Sequence, residues 1–239
     1  MSSIVLSRIL PCTSLWAGPE VNAHLNGPPL FQAVAGSCTP FRFVSHVGDV
    51  GHALIIGPTG RGKSTLMALQ ALSFLRYERA RVIFFDKGES SLAATLSVNG
   101  RFYDLASAGT VRFQPLVHVD QDSERMWALE CLTQLMSDSG LNLSPGAVTE
   151  LSYALIRLGE FPSEQRTIGG LISLVQHSDL KSVLAKFTEG TLGALFNGHS
   201  DSLENADWIS FEMAGLLNNK TALRPALRYI FHRVEGLLD

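Results

Sequence analysis

An α/β fold class is predicted by three stretches of this 239-residue chain. Ala53 to Ser73, ALIIGPTGRGKSTLMALQALS, opens with a short apolar run suited to a buried strand. It then turns through a glycine-rich loop and continues with the spacing of a helix. Arg81 to Asp86, RVIFFD, and Asp207 to Met213, DWISFEM, are apolar runs of strand length with an acid at or near the carboxyl end. Strand, loop and helix in succession, with further strands of this kind downstream, fit a doubly wound sheet whose ligands bind outside the carboxyl ends of its strands.

The loop matches G-x-x-x-x-G-K-[ST] at Gly57, Gly62, Lys63 and Ser64. Each residue type has a physical task in holding a nucleoside triphosphate. Small residues at 57, 60 and 62 let successive backbone N–H groups turn inward around the phosphates. Pro58, Thr59 and Arg61 complete the turn, and the helix that follows adds its positive end. Lys63 reaches the outer phosphates as a point charge, the Ser64 hydroxyl is suited to ligate Mg²⁺, and Thr65 places a second hydroxyl nearer the innermost phosphate. The expected ligand is ATP with Mg²⁺, held by Gly57, Pro58, Thr59, Gly60, Arg61, Gly62, Lys63, Ser64 and Thr65. The bland alternative is a glycine turn that merely starts a helix.

Composition narrows the function classes. At 46% hydrophobic residues the chain has ample material for a core. A net charge of −3 and a pI near 6.2 exclude a global basic field of the kind that gathers nucleic acid; a local basic channel stays open. Cys12, Cys38 and Cys131 are odd in number and lack C-x-x-C spacing, which fits a reducing cytoplasmic compartment better than a disulfide framework or zinc site. Arg8 and Pro11 interrupt the apolar start, so a secretory signal is not expected. No run approaches the roughly 20 apolar residues that span a bilayer, so membrane association is expected only through partners. The seven histidines show no metal spacing.

In chain order, residues 1–40 carry Pro11, Pro19, Pro28, Pro29 and Pro40 and read as an irregular lead-in. Residues 41–118 read as the nucleotide-binding core. FRFVSHVGDVGHALII predicts two strands joined by a turn at Gly48 to Gly51, the second delivering the chain to the loop. Asp86 ends RVIFFD near the expected ligand and is a candidate for orienting Mg²⁺. A helix is expected from Ser90 or Ser91, and RFYDL and VRFQPL, from Arg101 and Val111, are strand-like pieces around a turn containing Gly109. Residues 119–200 read as a mostly helical insertion and a partner surface: Ser123–Met136 with Met126, Leu129, Leu132 and Met136 as its core stripe, Ser144-Pro145 to Leu158, and a third helix from Thr167. Residues 201–239 return to the core. There Glu212 is a candidate water activator by pattern, with a strand-end carboxylate satisfied at the sheet rim as the competing reading. The last helix is expected from Thr221 to Leu238 with Leu227, Ile230, Phe231 and Val234 on its apolar face.

Several of these segments together resemble a known family. WAGPEVNAHLNGPPLF, TPFRFVSHVGDVGHALIIGPTGRGKST, ARVIFFDKGES, FEM and LRYIFHRVEGLLD are similar to the VirB/CagE/TrbE ATPases of conjugative type IV secretion systems, from about Trp16 to Asp239. The loop is generic; HVGDVGH, FDKG and FEM at these separations are far more specific. The resemblance implies a RecA-like P-loop NTPase core of the additional-strand, catalytic-glutamate kind. It further implies a cytoplasmic motor docked at the inner membrane through other secretion components, commonly hexameric, powering pilus assembly and DNA or protein transfer.

Carried over residue by residue, Gly57–Thr65 is the phosphate loop, Asp86–Gly88 the family's FDKG strand end and Phe211–Met213 its FEM element. In the family a strand ending in Asp-Glu follows soon after the counterpart of Leu237-Leu238-Asp239, where this sequence stops. The resemblance therefore implies an internal piece of the motor, truncated before the Walker B strand, able to bind phosphates but short of the magnesium acid and the general base. Two alternatives accompany it: a non-hydrolysing nucleotide- or partner-binding module, and a fragment of an FtsK/HerA-like DNA translocase.

Overall fold

The structure, a computed structural model, describes residues 16–34, 38–105 and 110–238. Cys12, the start of the lead-in, the turn at Gly109 and Asp239 lie outside those residues. The chain forms two compact units that meet in sequence between Val82 and Ile83.

The first unit begins with an antiparallel hairpin of β1 (Phe31–Val34) and β2 (Pro40–Phe43). Phe31 lies opposite Phe43 with their rings stacked at 4.9 Å, the cross-strand aromatic pair that stabilises a short hairpin. Helix α1 (Lys63–Phe74) follows. Just beyond it Tyr77 is buried, and its hydroxyl donates to the Pro28 carbonyl at 2.6 Å. A Cβ on Gly27 would stand 2.8 Å from the Tyr77 ring, so glycine is what lets the lead-in lie against it.

The expected strand at Ala53–Ile56 is not formed. Leu54 and Ile56 are 84% and 83% exposed, and the run has no regular structure. The reason lies just upstream. Val47 and Val50 bond each other at 2.9 and 3.3 Å around Gly48, whose φ is +64°, so the turn closes on itself and β2 pairs back onto β1. A strand without a ladder partner has no backbone bonds to hold it extended.

The second unit carries a three-stranded sheet in the order β3 (Val82–Asp86), β5 (Trp208–Glu212), β4 (Arg101–Asp104). β4 and β5 run parallel, Arg101 opposite Ile209 and Asp104 opposite Glu212. Parallel neighbours need a long crossover, and the helices between them supply it. Helix α2 (Leu92–Ser97) connects β3 to β4 and packs on β4 and β5. Helices α3 (Asp122–Asp138), α4 (Pro145–Gly159), α5 (Ile168–Leu174), α6 (Ser178–Ala185) and α7 (Gly190–Phe196) then lead to β5. The short α8 (Ala214–Leu217) and the long α9 (Lys220–Leu238) complete the unit.

Local chemistry explains the boundaries. Ser144 Oγ accepts from the Ala147 N–H at 3.2 Å with Pro145 in the first turn, and Thr167 Oγ1 accepts from the Gly170 N–H at 3.0 Å. These are side-chain caps for the otherwise orphan donors of a helix start. Leu151, Leu155, Leu158, Leu171, Leu180 and Leu184 are fully buried beside Phe113, Phe187 and Phe211, forming one continuous core.

Three expectations differ from the structure. VRFQPL is not a strand: Val111, Phe113 and Leu116 are buried in irregular chain, and Phe113 gives its N–H to Leu195 and accepts from Gly198 rather than joining a ladder. On α3 the buried face is Ala128, Leu132, Leu135 and Met136, while Met126 is 73% exposed; the stripe is rotated because the two flanking turns supply its neighbours. On α9 Phe231 is exposed, and Ala222, Ala226, Tyr229 and Ile230 form the inner face.

Candidate functional site

In the first unit the Gly57–Thr65 loop is shaped by two glycines. Gly60 and Gly62 have φ of +76° and +78°, a left-handed conformation that a Cβ disfavours. Gly57 has no such φ, and a Cβ there would meet only Lys63 Cδ at 3.8 Å and Cγ at 3.9 Å. The conformational demand therefore falls on 60 and 62, a distinction the motif alone does not make. Gly62 caps α1 without a side-chain bond, and no acid stands in the first turn. The helix thus presents its partial positive charge unneutralised. Lys63 Nζ donates to the Pro58 carbonyl at 2.8 Å, which folds the ammonium back over the loop. Pro58, Thr59, Arg61, Ser64 and Thr65 are exposed. A loop of this kind can hold an oxyanion by backbone N–H groups and a lysine, with hydroxyls at hand for a cation.

In the second unit the two acidic candidates come together at the carboxyl end of the sheet. Glu212 is only 3% exposed, and its carboxylate accepts from the N–H groups of Gly88 (3.1 Å), Glu89 (2.6 Å) and Ala214 (2.8 Å). Asp86 accepts from the N–H groups of Lys87 (2.8 Å) and Ser91 (2.6 Å) and from the Ser90 hydroxyl (2.6 Å). Burial works to raise the Asp86 carboxyl, but the bonds from Ser90, Ser91 and Lys87 outweigh it and hold it below the ordinary range. The backbone joins in, since Met213 gives its N–H to the Asp86 carbonyl at 2.9 Å.

The turn between them has Gly88 at φ +91° and Glu89 at φ +57°, which aims consecutive N–H groups at one carboxylate. Glu212 is thus bonded as a strand-end acid satisfied by backbone, and Asp86 takes the capping role at α2 that Ser91 was expected to fill. The Ser91 side chain makes no capping bond. Sequence reading missed Gly88 and Glu89 as partners of Glu212; the glycine in Asp-Lys-Gly is the signal for the turn, but nothing local reveals an acceptor over a hundred residues away.

No family model matches the chain, but several known proteins are similar to it. A probable conjugal transfer protein TrbE of Sinorhizobium fredii is 36% identical over 98% of this chain and 37% of its own length. The conjugal transfer protein TrbE of Rhizobium radiobacter is 35% identical over 98% of this chain and 30% of its own. The type IV secretion system protein virB4 of Bartonella henselae is 24% identical over 92% of this chain and 28% of its own. Among solved structures, VirB4 of Thermoanaerobacter pseudethanolicus superposes with a TM-score of 0.63 at 16% identity, over 91% of this chain and 66% of that one.

The parallel sheet, its helical crossovers and this structural likeness define a protein of P-loop NTPase-like α/β fold. Over nearly its whole length the chain belongs with the TrbE and VirB4 proteins of conjugal transfer and type IV secretion. It spans about a third of the length of the curated relatives it matches.

Proposed function

We propose that this chain is the ATP-binding portion of a conjugative type IV secretion motor, with Gly57–Thr65 as its phosphate loop. The observation that carries this is the loop itself: left-handed glycines at 60 and 62, an uncapped helix start and Lys63 folded over the turn. In this reading the backbone N–H groups and Lys63 hold the phosphates, and Ser64 ligates Mg²⁺, which neutralises charge on the outer phosphates when bound. In the complete motor, hydrolysis would drive pilus assembly and transfer of DNA or protein, in a homo-hexamer engaged with other secretion components at the cytoplasmic face of the inner membrane. The names of the relatives support the setting, and among the described residues no helix is long and apolar enough to cross a membrane.

A second reading is favoured by the bonding of the acids. Both Asp86 and Glu212 already accept three donors each, so neither is free to take a proton from water without breaking the turn. The chain as it stands is then a nucleotide binder with little turnover of its own.

Filter binding with radiolabelled ATP tests the site: Lys63→Ala is expected to abolish retention, and equal retention in the variant would remove the assignment. Steady phosphate release at saturating Mg²⁺-ATP tests the second reading. Brisk turnover would show that one of the two carboxylates works as a base after all.

A further inference from the structure

We propose that a groove in the second unit, between the end of α3, the chain just after α6 and the first turns of α9, binds an organic phosphate of about mononucleotide size. This site is separate from the loop at 57–65 and does not depend on its reading. The groove has a volume of about 660 Å³, inside the range of about 300–1,000 Å³ typical of small-molecule sites. Its rim and floor differ in chemistry. Lys186, Lys220 and Arg224 stand on the rim, and Leu135, Phe187 and Pro225 give it an apolar floor.

The rim charge is local and goes against its surroundings. From Ile83 onward the chain has twelve lysines and arginines against nineteen acids, whereas up to Val82 it has seven against three. Yet the acidic unit gathers three cations here around a single lining acid, Asp138. That acid is already engaged, by Arg224 at 3.0 Å on one oxygen and Arg228 at 2.9 Å on the other. Burial tends to raise the Asp138 carboxyl, but the Arg228 and Arg224 guanidinium groups outweigh this and keep it below the ordinary range. Asp138 therefore fixes Arg224 in place and leaves the rim with a surplus of positive charge. Among the described residues the amines of Lys186 and Lys220 have no ion-pair or hydrogen-bond partner.

The donor set selects the ligand. Ammonium groups from two elements and one pinned guanidinium approach from different directions, so an anion with three terminal oxygens can engage all three at once. A carboxylate, with two oxygens, cannot. The apolar floor then favours a phosphate carried on a ring or short hydrocarbon body over inorganic phosphate.

Amide-resolved NMR of the whole chain, titrated with phenyl phosphate, tests the proposal. The amides of Lys186 and of Lys220 to Arg224 are expected to shift, with affinity above that for inorganic phosphate or benzoate. The double variant Lys186→Glu, Lys220→Glu should weaken binding on the order of tenfold or more, and Lys186→Gln, which carries less risk to folding, should weaken it in the same direction. Silence of those amides at millimolar phenyl phosphate, an equal response to benzoate, or unchanged affinity in both variants would overturn the proposal. Shifts at Gly57 to Ser64 report on the loop separately, so failure of one site is distinguishable from failure of the other.

Discussion

The two units hold their functional residues in different ways. In the second, Glu212 and Asp86 sit on strands of a sheet backed by an extensive core of leucine and phenylalanine, and every donor to them is a neighbour fixed by that core. In the first, the described buried apolar residues are Leu30, Tyr77 and Val82, while Leu54, Ile56, Leu66, Met67 and Leu69 all face solvent around the loop. The loop is shaped by backbone conformation rather than by packing. Site geometry can thus come from burial or from the handedness of a few φ angles, and the two are sensitive to different substitutions.

The largest expected effect breaks this contrast most directly. Leu155→Ala, in the fully buried core, should cost about 2–5 kcal/mol in chemical denaturation. Leu54→Ala, at an 84% exposed site, should change stability by no more than about 0.5 kcal/mol. Comparable losses at both positions would show that the apolar run is covered in solution. Next in size, Glu212→Ala orphans the N–H groups of Gly88, Glu89 and Ala214, at about 1–3 kcal/mol. The same denaturation curves read this, and ATP retention by the loop should stay as in the wild type.

The smallest effect is a pH dependence. The folded Asp86 carboxyl lies below its ordinary value, so its contribution to stability is present above the unfolded pKa and is lost as pH falls through the folded one. Asp86→Asn should therefore flatten the acid limb of the stability profile. An unchanged limb would mean that the bonds from Lys87, Ser90 and Ser91 do not persist in solution.

Much of the fold was legible in the chain because its signals are local. Ser144-Pro145 and Thr167 mark helix starts that the caps bear out, and RVIFFD and DWISFEM are strands of one sheet. The failures share a cause, which is dependence on distant partners. Ala53–Ile56 has the composition of a strand, but composition cannot say whether a neighbouring strand lies alongside. VRFQPL has strand-like residues, yet Phe113 finds its backbone partners at Leu195 and Gly198. Helices α6 and α7 are short, and Gly190 and Gly193 interrupt their stretch, so neither signals itself in the sequence as the longer helices do.

At the site, the motif spacing marks the loop as a unit, and only the φ angles separate Gly57 from Gly60 and Gly62. The acids were legible as strand ends. Their bonding was not, because it depends on a turn more than a hundred residues from Glu212.

The glycines at 60 and 62 carry one more consequence. Nothing lies within 4 Å of where a side chain would begin at either position, so what these residues contribute is tolerance of a mirror-image backbone rather than small size. Replacement there should be ranked by chirality and not by volume. Asparagine, which visits that region most readily among the L-residues, would be the mildest change, alanine harsher, and a β-branched residue the harshest although the space is open to all three.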